Sequence, residues 1–329
     1  MSMILGIEST AHTFGVGIYD SKKDRLLSNE KAYYKPINEG IVPRKAAEHH
    51  CENAAHTIEA ALKSAHVKMG DLDAAAYSAG PGLGPCLQVG ASAAAFLAQK
   101  FDLPLVPVNH PHAHIAIARW QTGFSDPLVL YVSGGNTQII CGTKKGKFFG
   151  PPFSVMGETL DIGLGNLFDM LSREMGDEFS HGSVVAAKAM KGKNYALMPY
   201  TVKGMNFAFS GLFTYAKKLI GKMDENDLCY SLMETAFCEL CEAAERALML
   251  TGKKEVVVCG GVAQNSQLMK KVKIMAKAHK AKAGTCENIY NADNGAMIAY
   301  AGFLEFERGK KISARDFWAD QKWRVDMVE

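Results

Sequence analysis

No stretch of this sequence sustains the roughly 18 apolar residues that a membrane-spanning helix requires. Its apolar runs, such as those at residues 127–132 and 255–259, soon meet glycine or charge, and no basic-then-apolar leader opens the chain. The expectation is a soluble, cytoplasmic protein without membrane contact. An excess of one charge is missing too: 37 basic residues face 34 acidic ones, a net charge of +3. The whole-chain field therefore gives little drive toward nucleic acid, and any such contact must come from local clusters. Three lysine clusters stand out: Lys144, Lys145 and Lys147; Lys188, Lys191 and Lys193; and the six lysines between Lys270 and Lys282. The last reads first as a solvated helix face. The eight cysteines are scattered. Cys238 and Cys241 form the only C-x-x-C, with no second pair downstream, so reduced thiols are expected rather than a zinc knot. The absence of G-x-x-x-x-G-K-[ST] excludes a P-loop NTPase, and that of G-x-S-x-G an α/β-hydrolase.

What the chain does have is length and apolar content. At 329 residues and 48% hydrophobic it exceeds the size at which one core stops growing, so two domains of roughly 150 residues are expected. Hydrophobic periodicity reads residues 3–8, 15–19 and 25–34 as strands, 43–66 as a helix, 74–78 as a strand, 87–99 as a helix, 105–108 as a strand and 110–120 as a helix. That order is βββαβαβα. Strands then restart at 128–133, 138–142 and 148–154. Helices are expected within 160–175 and 212–250, a strand at 255–259, and helices at 263–278 and 293–307. Two βββ-led halves are what the duplicated α/β fold of actin, sugar kinases and Hsp70 ATPases consists of, with a ligand cleft between them. The halves are expected at 1–125 and 126–329, the C-terminal segment being free to pack back on the first. A doubly wound fold without duplication is the alternative.

The first hairpin carries Gly6-Ile7-Glu8-Ser9-Thr10 and its counterpart Ser133-Gly134-Gly135-Asn136-Thr137. Turns of this kind offer backbone N–H groups and small hydroxyls to a phosphate, and glycine permits close approach. Their recurrence at matching places in two halves favours that role over plain turns. Gly80-Pro81-Gly82-Leu83-Gly84-Pro85 and Gly260-Gly261-Val262-Ala263-Gln264-Asn265 each follow a strand and precede a helix. Such loops suit a ligand or a tight connection equally, and Asn265 adds an amide.

His110-Pro111-His112-Ala113-His114 carries the most chemistry. Asn109 can cap the helix and Pro111 fits its first turn, so His110 and His114, four residues apart, share a face. Two imidazoles one turn apart can chelate a metal. The site lacks the glutamate of H-E-x-x-H, because position 111 is proline, and a peptidase is disfavoured. Oxygen ligands would come from elsewhere. Asp293 and Tyr131 are candidates, each with a plain alternative as a helix cap and a half-buried strand aromatic.

Taken together, residues 4–13, Ala47-Glu48-His49-His50, the 80–85 loop, Asn109-His110 with His114, residues 131–137, Gly157-Glu158-Thr159-Leu160-Asp161 through Asp169, Phe207 to Leu212 and residues 260–265 resemble the TsaD/OSGEP family, in the form found in its archaeal and eukaryotic KEOPS branch. The resemblance implies transfer of threonylcarbamoyl from threonylcarbamoyl-adenylate to the N6 amine of the adenosine beside the anticodon of ANN-decoding tRNA. It implies one metal ion, iron favoured over zinc, held by His110, His114, Tyr131 and Asp293. Tyr131, Val132, Ser133, Gly134, Gly135, Asp169, Gly182 and Asn265 would surround the adenylate, with Ser133, Gly134 and Gly135 stabilising the departing AMP. The implied partners are tRNA and KEOPS subunits, including a small Bud-type kinase/ATPase and a small dimerising subunit on the helices near 46–61 and 91–97. A kinase, an ATPase or a nucleotide-binding scaffold of the same fold is the competing reading. The chain departs from the pattern at Ser180-His181-Gly182-Ser183, where the family has Pro-Gly-Gly-Pro, and at Ala186, where it has a glutamate that contacts the nucleotide.

Overall fold

The computed structural model describes residues 1–35, 40–145, 148–178 and 180–328. In chain order the elements are β1 (Met3–Glu8), β2 (Thr13–Asp20), β3 (Arg25–Tyr33), α1 (Pro43–Ala65), β4 (Ala74–Gly80), α2 (Gly84–Phe101), β5 (Leu105–Asn109) and α3 (His110–Thr122), then β6 (Leu128–Val132), β7 (Thr137–Lys145), β8 (Phe148–Glu158), α4 (Leu164–Glu174), α5 (Gly182–Ala189), β9 (Val202–Lys203), β10 (Asn206–Phe207), α6 (Phe209–Leu219), α7 (Glu225–Thr251), β11 (Glu255–Cys259), α8 (Ser266–Ala278), β12 (Lys282–Thr285), α9 (Asn288–Asn291) and α10 (Gly295–Glu307). They form two compact units, Met1–Ile117 with Ala292–Glu329, and Ala118–Asn291. No helix among the described residues is long and apolar enough to cross a membrane.

The first unit is built on a five-stranded sheet of order β3-β2-β1-β4-β5. β1, β2 and β3 pair antiparallel, while β4 pairs parallel with β1 and β5 parallel with β4. Side chains alternate across a strand, and here the alternation separates two kinds of packing. Leu5, Ile7, Phe14, Val16 and Ile18 join Ala61 of α1 and Ala91 and Ala94 of α2 in one apolar core. The intervening positions are Gly6, Gly15 and Gly17, and α10 lies against them. A Cβ on Gly6 would fall 2.1 Å from the Ala299 nitrogen, and one on Gly17 2.4 Å from the Ala296 Cα. Gly295 answers from the helix, since a Cβ there would meet the Gly17 nitrogen at 2.4 Å.

The second unit repeats the plan. Its sheet has the order β12-β11-β6-β7-β8, with β6, β7 and β8 antiparallel and β11 and β12 parallel to β6. Five helices, α4 to α8, supply its core through Leu167, Phe168, Leu212, Phe237 and Val272 among others. The same order and the same orientations in both sheets establish the duplicated α/β fold of the actin and sugar-kinase type. Periodicity misses some detail. The pattern over 212–250 is two helices, because Gly221 adopts a left-handed φ of 74° and Asp224 caps a new start by accepting from the N–H of Asn226 and Asp227. The helix expected from 160 begins at 164, after Thr159 and Asp161 tie the preceding turn. α5 and β12 have no counterpart in the sequence reading. Lys147 and the side chains of Lys144 and Lys145 lie outside the described residues.

Two outcomes follow from this packing. Gly17→Ala forces backbone apart and should cost about 3 kcal/mol, seen as a lower denaturation midpoint, whereas Gly70→Ala, with nothing within 4 Å of the added carbon, should leave it unchanged. His50 is fully buried in α1, with its Nε2–H donating to Ala11 O at 3.0 Å. Burial, aided by neighbouring His49, pushes its pKa down to about 4. The unfolded chain therefore binds more protons between pH 6.5 and 4, so stability falls as pH drops through that window and no further below it. His50→Gln should remove that part of the acid sensitivity, on the order of 3 kcal/mol, measured by melts from pH 7 to 4.

Candidate functional site

β5 ends at Asn109, whose side-chain Oδ1 accepts from the His112 N–H at 3.1 Å and starts α3. The start places His110 and His114 on one face with their rings 4.7 Å apart. From the other end of the chain, Asp293 immediately precedes the Asn294 cap of α10. Its Oδ1 lies 3.2 Å from His114 Nε2 and 3.5 Å from His110 Nε2. The three ligand atoms fall within 4.8 Å of one another, a group that could hold a metal ion. His110 and His114 are buried and Asp293 is partly exposed. The sequence reading also named Tyr131, which lies fully buried in β6 of the second unit.

Glu8 was not anticipated as part of this site. It sits fully buried at the end of β1, where His110 Nδ1–H donates to its Oε2 at 2.9 Å. Its Oε1 accepts from the N–H and the hydroxyl of Thr10 at 2.6 and 2.5 Å. A hydrogen bond at Nδ1 fixes the tautomer and leaves Nε2 as the coordinating nitrogen. The one signal in the sequence was a carboxylate closing an otherwise apolar strand.

The electrostatics describe a site that wants a cation. Burial works against the His110 imidazolium, but the Glu8 and Asp293 carboxylates outweigh it and raise its pKa to about 9. Burial lowers that of His114, partly offset by its bond to Asp293. Burial also works against the Asp293 carboxylate, yet the charge on His110 and the bond from His114 hold it well below the usual range. Two carboxylates against two imidazoles call for positive charge, supplied by a proton on His110 or by a metal. Two nitrogens and one oxygen are donors that suit iron or zinc.

In the second unit, residues 133–136 form a closed turn: Ser133 N–H donates to Asn136 O at 2.8 Å and Asn136 N–H to Ser133 Oγ at 3.1 Å. α4 holds it from behind, with Gly165 and Asn166 N–H donating to Ser133 and Gly134 carbonyls. Gly134 and Gly135 are exposed, and their N–H groups make no hydrogen bond among the described residues. They are open to an anion. The matching turn of the first unit is not: Ser9 N–H donates to Ser78 Oγ at 3.0 Å and Thr10 N–H to Glu8. The Gly80–Pro85 loop is likewise closed by the chain, because a Cβ on Gly80 would strike Asp320 O at 1.8 Å.

Asp169 and Gly182 are brought together, Gly182 N–H donating to Asp169 Oδ1 at 2.6 Å. Gly260, at φ 94°, lies against Tyr131 and Val132, since a Cβ there would meet Val132 O at 2.4 Å. A pocket of about 420 Å³ opens nearby in sequence terms, walled by Ala186 and Met190, by Met233, Glu234 and Phe237 of α7, and by Asn265. Asn265 Oδ1 caps α8 by accepting from Gln267 and Leu268 N–H. Of the lysines considered for RNA, Lys188 pairs with Asp177 and Glu225, and Lys271 with Glu234.

Two five-stranded units of one topology, one with a His/Asp cluster and one with an open glycine turn, belong to the actin, sugar-kinase and Hsp70 fold class. The (R)-2-hydroxyglutaryl-CoA dehydratase component A from Acidaminococcus fermentans shares the fold, with a TM-score of 0.58 at 14% identity over 93% of this chain and 99% of that one. A family profile described as TsaD, tRNA N6-adenosine threonylcarbamoyltransferase, matches residues 24–300, and the chain belongs to that family. A tRNA N6-adenosine threonylcarbamoyltransferase of Staphylothermus marinus is 46% identical over 340 residues, 99% of this chain and 98% of the relative. A probable bifunctional tRNA threonylcarbamoyladenosine biosynthesis protein of Methanosarcina mazei is 42% identical over 331 residues, 100% of this chain and 59% of the relative.

Replacing His110 and His114 together by alanine should abolish stoichiometric metal with the circular-dichroism spectrum retained. Glu8→Gln should keep a metal but weaken it roughly 10- to 100-fold, read by competition with a chromophoric chelator. Full metal in the double variant would refute the site.

Proposed function

We propose that this chain transfers threonylcarbamoyl from threonylcarbamoyl-adenylate to the N6 amine of the adenosine beside the anticodon of ANN-decoding tRNA. Family membership supports the reaction, and the observation that carries the reading onto this chain is the convergence of His110, His114 and Asp293 around one point. Those three residues, with Tyr131, would hold a metal ion, iron favoured because phenolate and carboxylate are hard ligands. Bound there, the metal would act as a Lewis acid toward the threonylcarbamoyl group.

The chain's own groups account for the rest. A C–N bond forms between the tRNA amine and the carbamoyl carbon, the bond from that carbon to the phosphate oxygen breaks, AMP departs, and the amine proton passes to solvent. The open N–H groups of Gly134 and Gly135, with Ser133, donate to the phosphate as charge grows on it. Asp169, Gly182 and Asn265 shape the place of the nucleoside, which enters the pocket beside Ala186. Glu8 holds His110 in one tautomer throughout.

The same reading places the chain in the cytoplasm as the catalytic subunit of a KEOPS assembly with a small Bud-type kinase/ATPase and a small dimerising subunit. The near-neutral charge of +3, and the pairing of Lys188 and Lys271 within the fold, support RNA capture shared with other subunits. Transfer by the isolated chain should therefore be slow, and the partners should raise it strongly and steepen the fall of log tRNA affinity with log salt. Assays with threonylcarbamoyl-adenylate and unmodified tRNA, with and without partners, measure both. No transfer by the metal-loaded full assembly would overturn the reading.

A further inference from the structure

Helix α7 turns Tyr230, Met233, Glu234 and Phe237 toward one pocket, the i, i+3, i+4, i+7 spacing of a single helical face. The methionine and phenylalanine side chains form walls that admit a flat base. A ribonucleotide also brings vicinal hydroxyls, two donors that need acceptors once they leave water. Ala186 and Met190, on the facing wall, offer no oxygen. Asn265 has its Oδ1 committed to the cap of α8. Glu234 is the only carboxylate among the lining residues.

The state of that carboxylate is informative. Its Oε1 is engaged by Lys271 Nζ of α8 and, at 3.9 Å, by Cys238 Sγ. Its Oε2 accepts no hydrogen bond among the described residues. Lys271, which is not among the lining residues, steadies the side chain through Oε1 and leaves the second oxygen of this lining residue free. The glutamate is 32% exposed, consistent with a pocket wall rather than a core position.

We propose that Glu234 reads the ribose: its free oxygen accepts from the vicinal hydroxyls and makes the pocket selective for ribonucleotides over deoxyribonucleotides. The inference rests on the nucleotide occupying this pocket, as proposed above. Calorimetry on the full chain with AMP and with 2′,3′-dideoxy-AMP tests it. The wild-type chain should prefer AMP by roughly tenfold or more, as a hydrogen bond to a charged group allows. Glu234→Gln should bring the two ligands within about twofold, by weakening AMP and leaving the dideoxy compound unchanged. A preference that survives Glu234→Gln, or an equal loss for both ligands, overturns the assignment. Ala187→Trp, a bulky side chain on an exposed lining position, separates this from the underlying reading. If AMP binding survives that change undiminished, the nucleotide lies elsewhere and both proposals fall. If Ala187→Trp blocks AMP while Glu234→Gln keeps the full preference, only the role of Glu234 fails.

Discussion

The placement of Asp293 depends on a contact between backbones. Helix α10 reaches the β1–β2 hairpin only because residues 6, 15 and 17 of the sheet and residue 295 of the helix lack side chains. Every other residue type would push the helix away from the sheet, since the atoms it would meet are main-chain atoms that cannot rotate away. Asp293 precedes that helix by two residues, so its distance to His110 and His114 is set by how deeply α10 sits. A pair of histidines on α3 is a local feature of one helical turn, whereas the third ligand is delivered across 179 residues of chain by close packing. The chemistry of the site is therefore tied to the tightest part of the core.

That core also explains a charge arrangement that would otherwise be costly. Burying the Glu8 carboxylate without hydrogen-bond partners would be costly. Thr10 and His110 satisfy its two oxygens separately, and the positive charge drawn onto His110 then balances Asp293 on the other side. Removing His110 would leave the buried Glu8 carboxylate without its charged partner. A divalent cation could take the place of the proton without rearranging the carboxylates. The unit is thus arranged for a positive charge near Nε2 of both histidines before any ligand arrives.

Much of this was legible in the sequence, and the parts that were not have common causes. Most strands of both sheets were legible from runs of apolar residues, and the His110/His114 pair from a four-residue spacing on a helix whose Asn109 cap was readable. Glu8 was hidden because periodicity describes which face is apolar, not which polar group a fold will enclose. Glu234 was hidden for a related reason: on α7 it stands among residues that alternate between core and surface, and only the approach of α5 and the 264–267 segment turns that face into a wall. The split of 212–250 turned on one glycine in a left-handed conformation. Short pieces such as α5 and β12 carry too few residues for any period to show.

The duplication itself shows how one turn was put to two uses. Each half begins with a strand, a turn and a returning strand, and each turn contains small residues and hydroxyls. In the first half the turn is filled from within: Ser78 takes the Ser9 amide, and Glu8 takes that of Thr10. An amide already donating to a buried carboxylate is a poor phosphate ligand, but it is a good clamp on the group that orients His110. In the second half Gly134 and Gly135 replace side chains that could fold back, and their amides stay exposed while α4 fixes the turn through its carbonyls. In one copy the turn supports the carboxylate that orients His110, and in the other the Gly134 and Gly135 amides stay exposed. The difference arises from which side chain stands beside the turn, a carboxylate in one half and none in the other, so a single inherited geometry carries two opposite electrostatic roles.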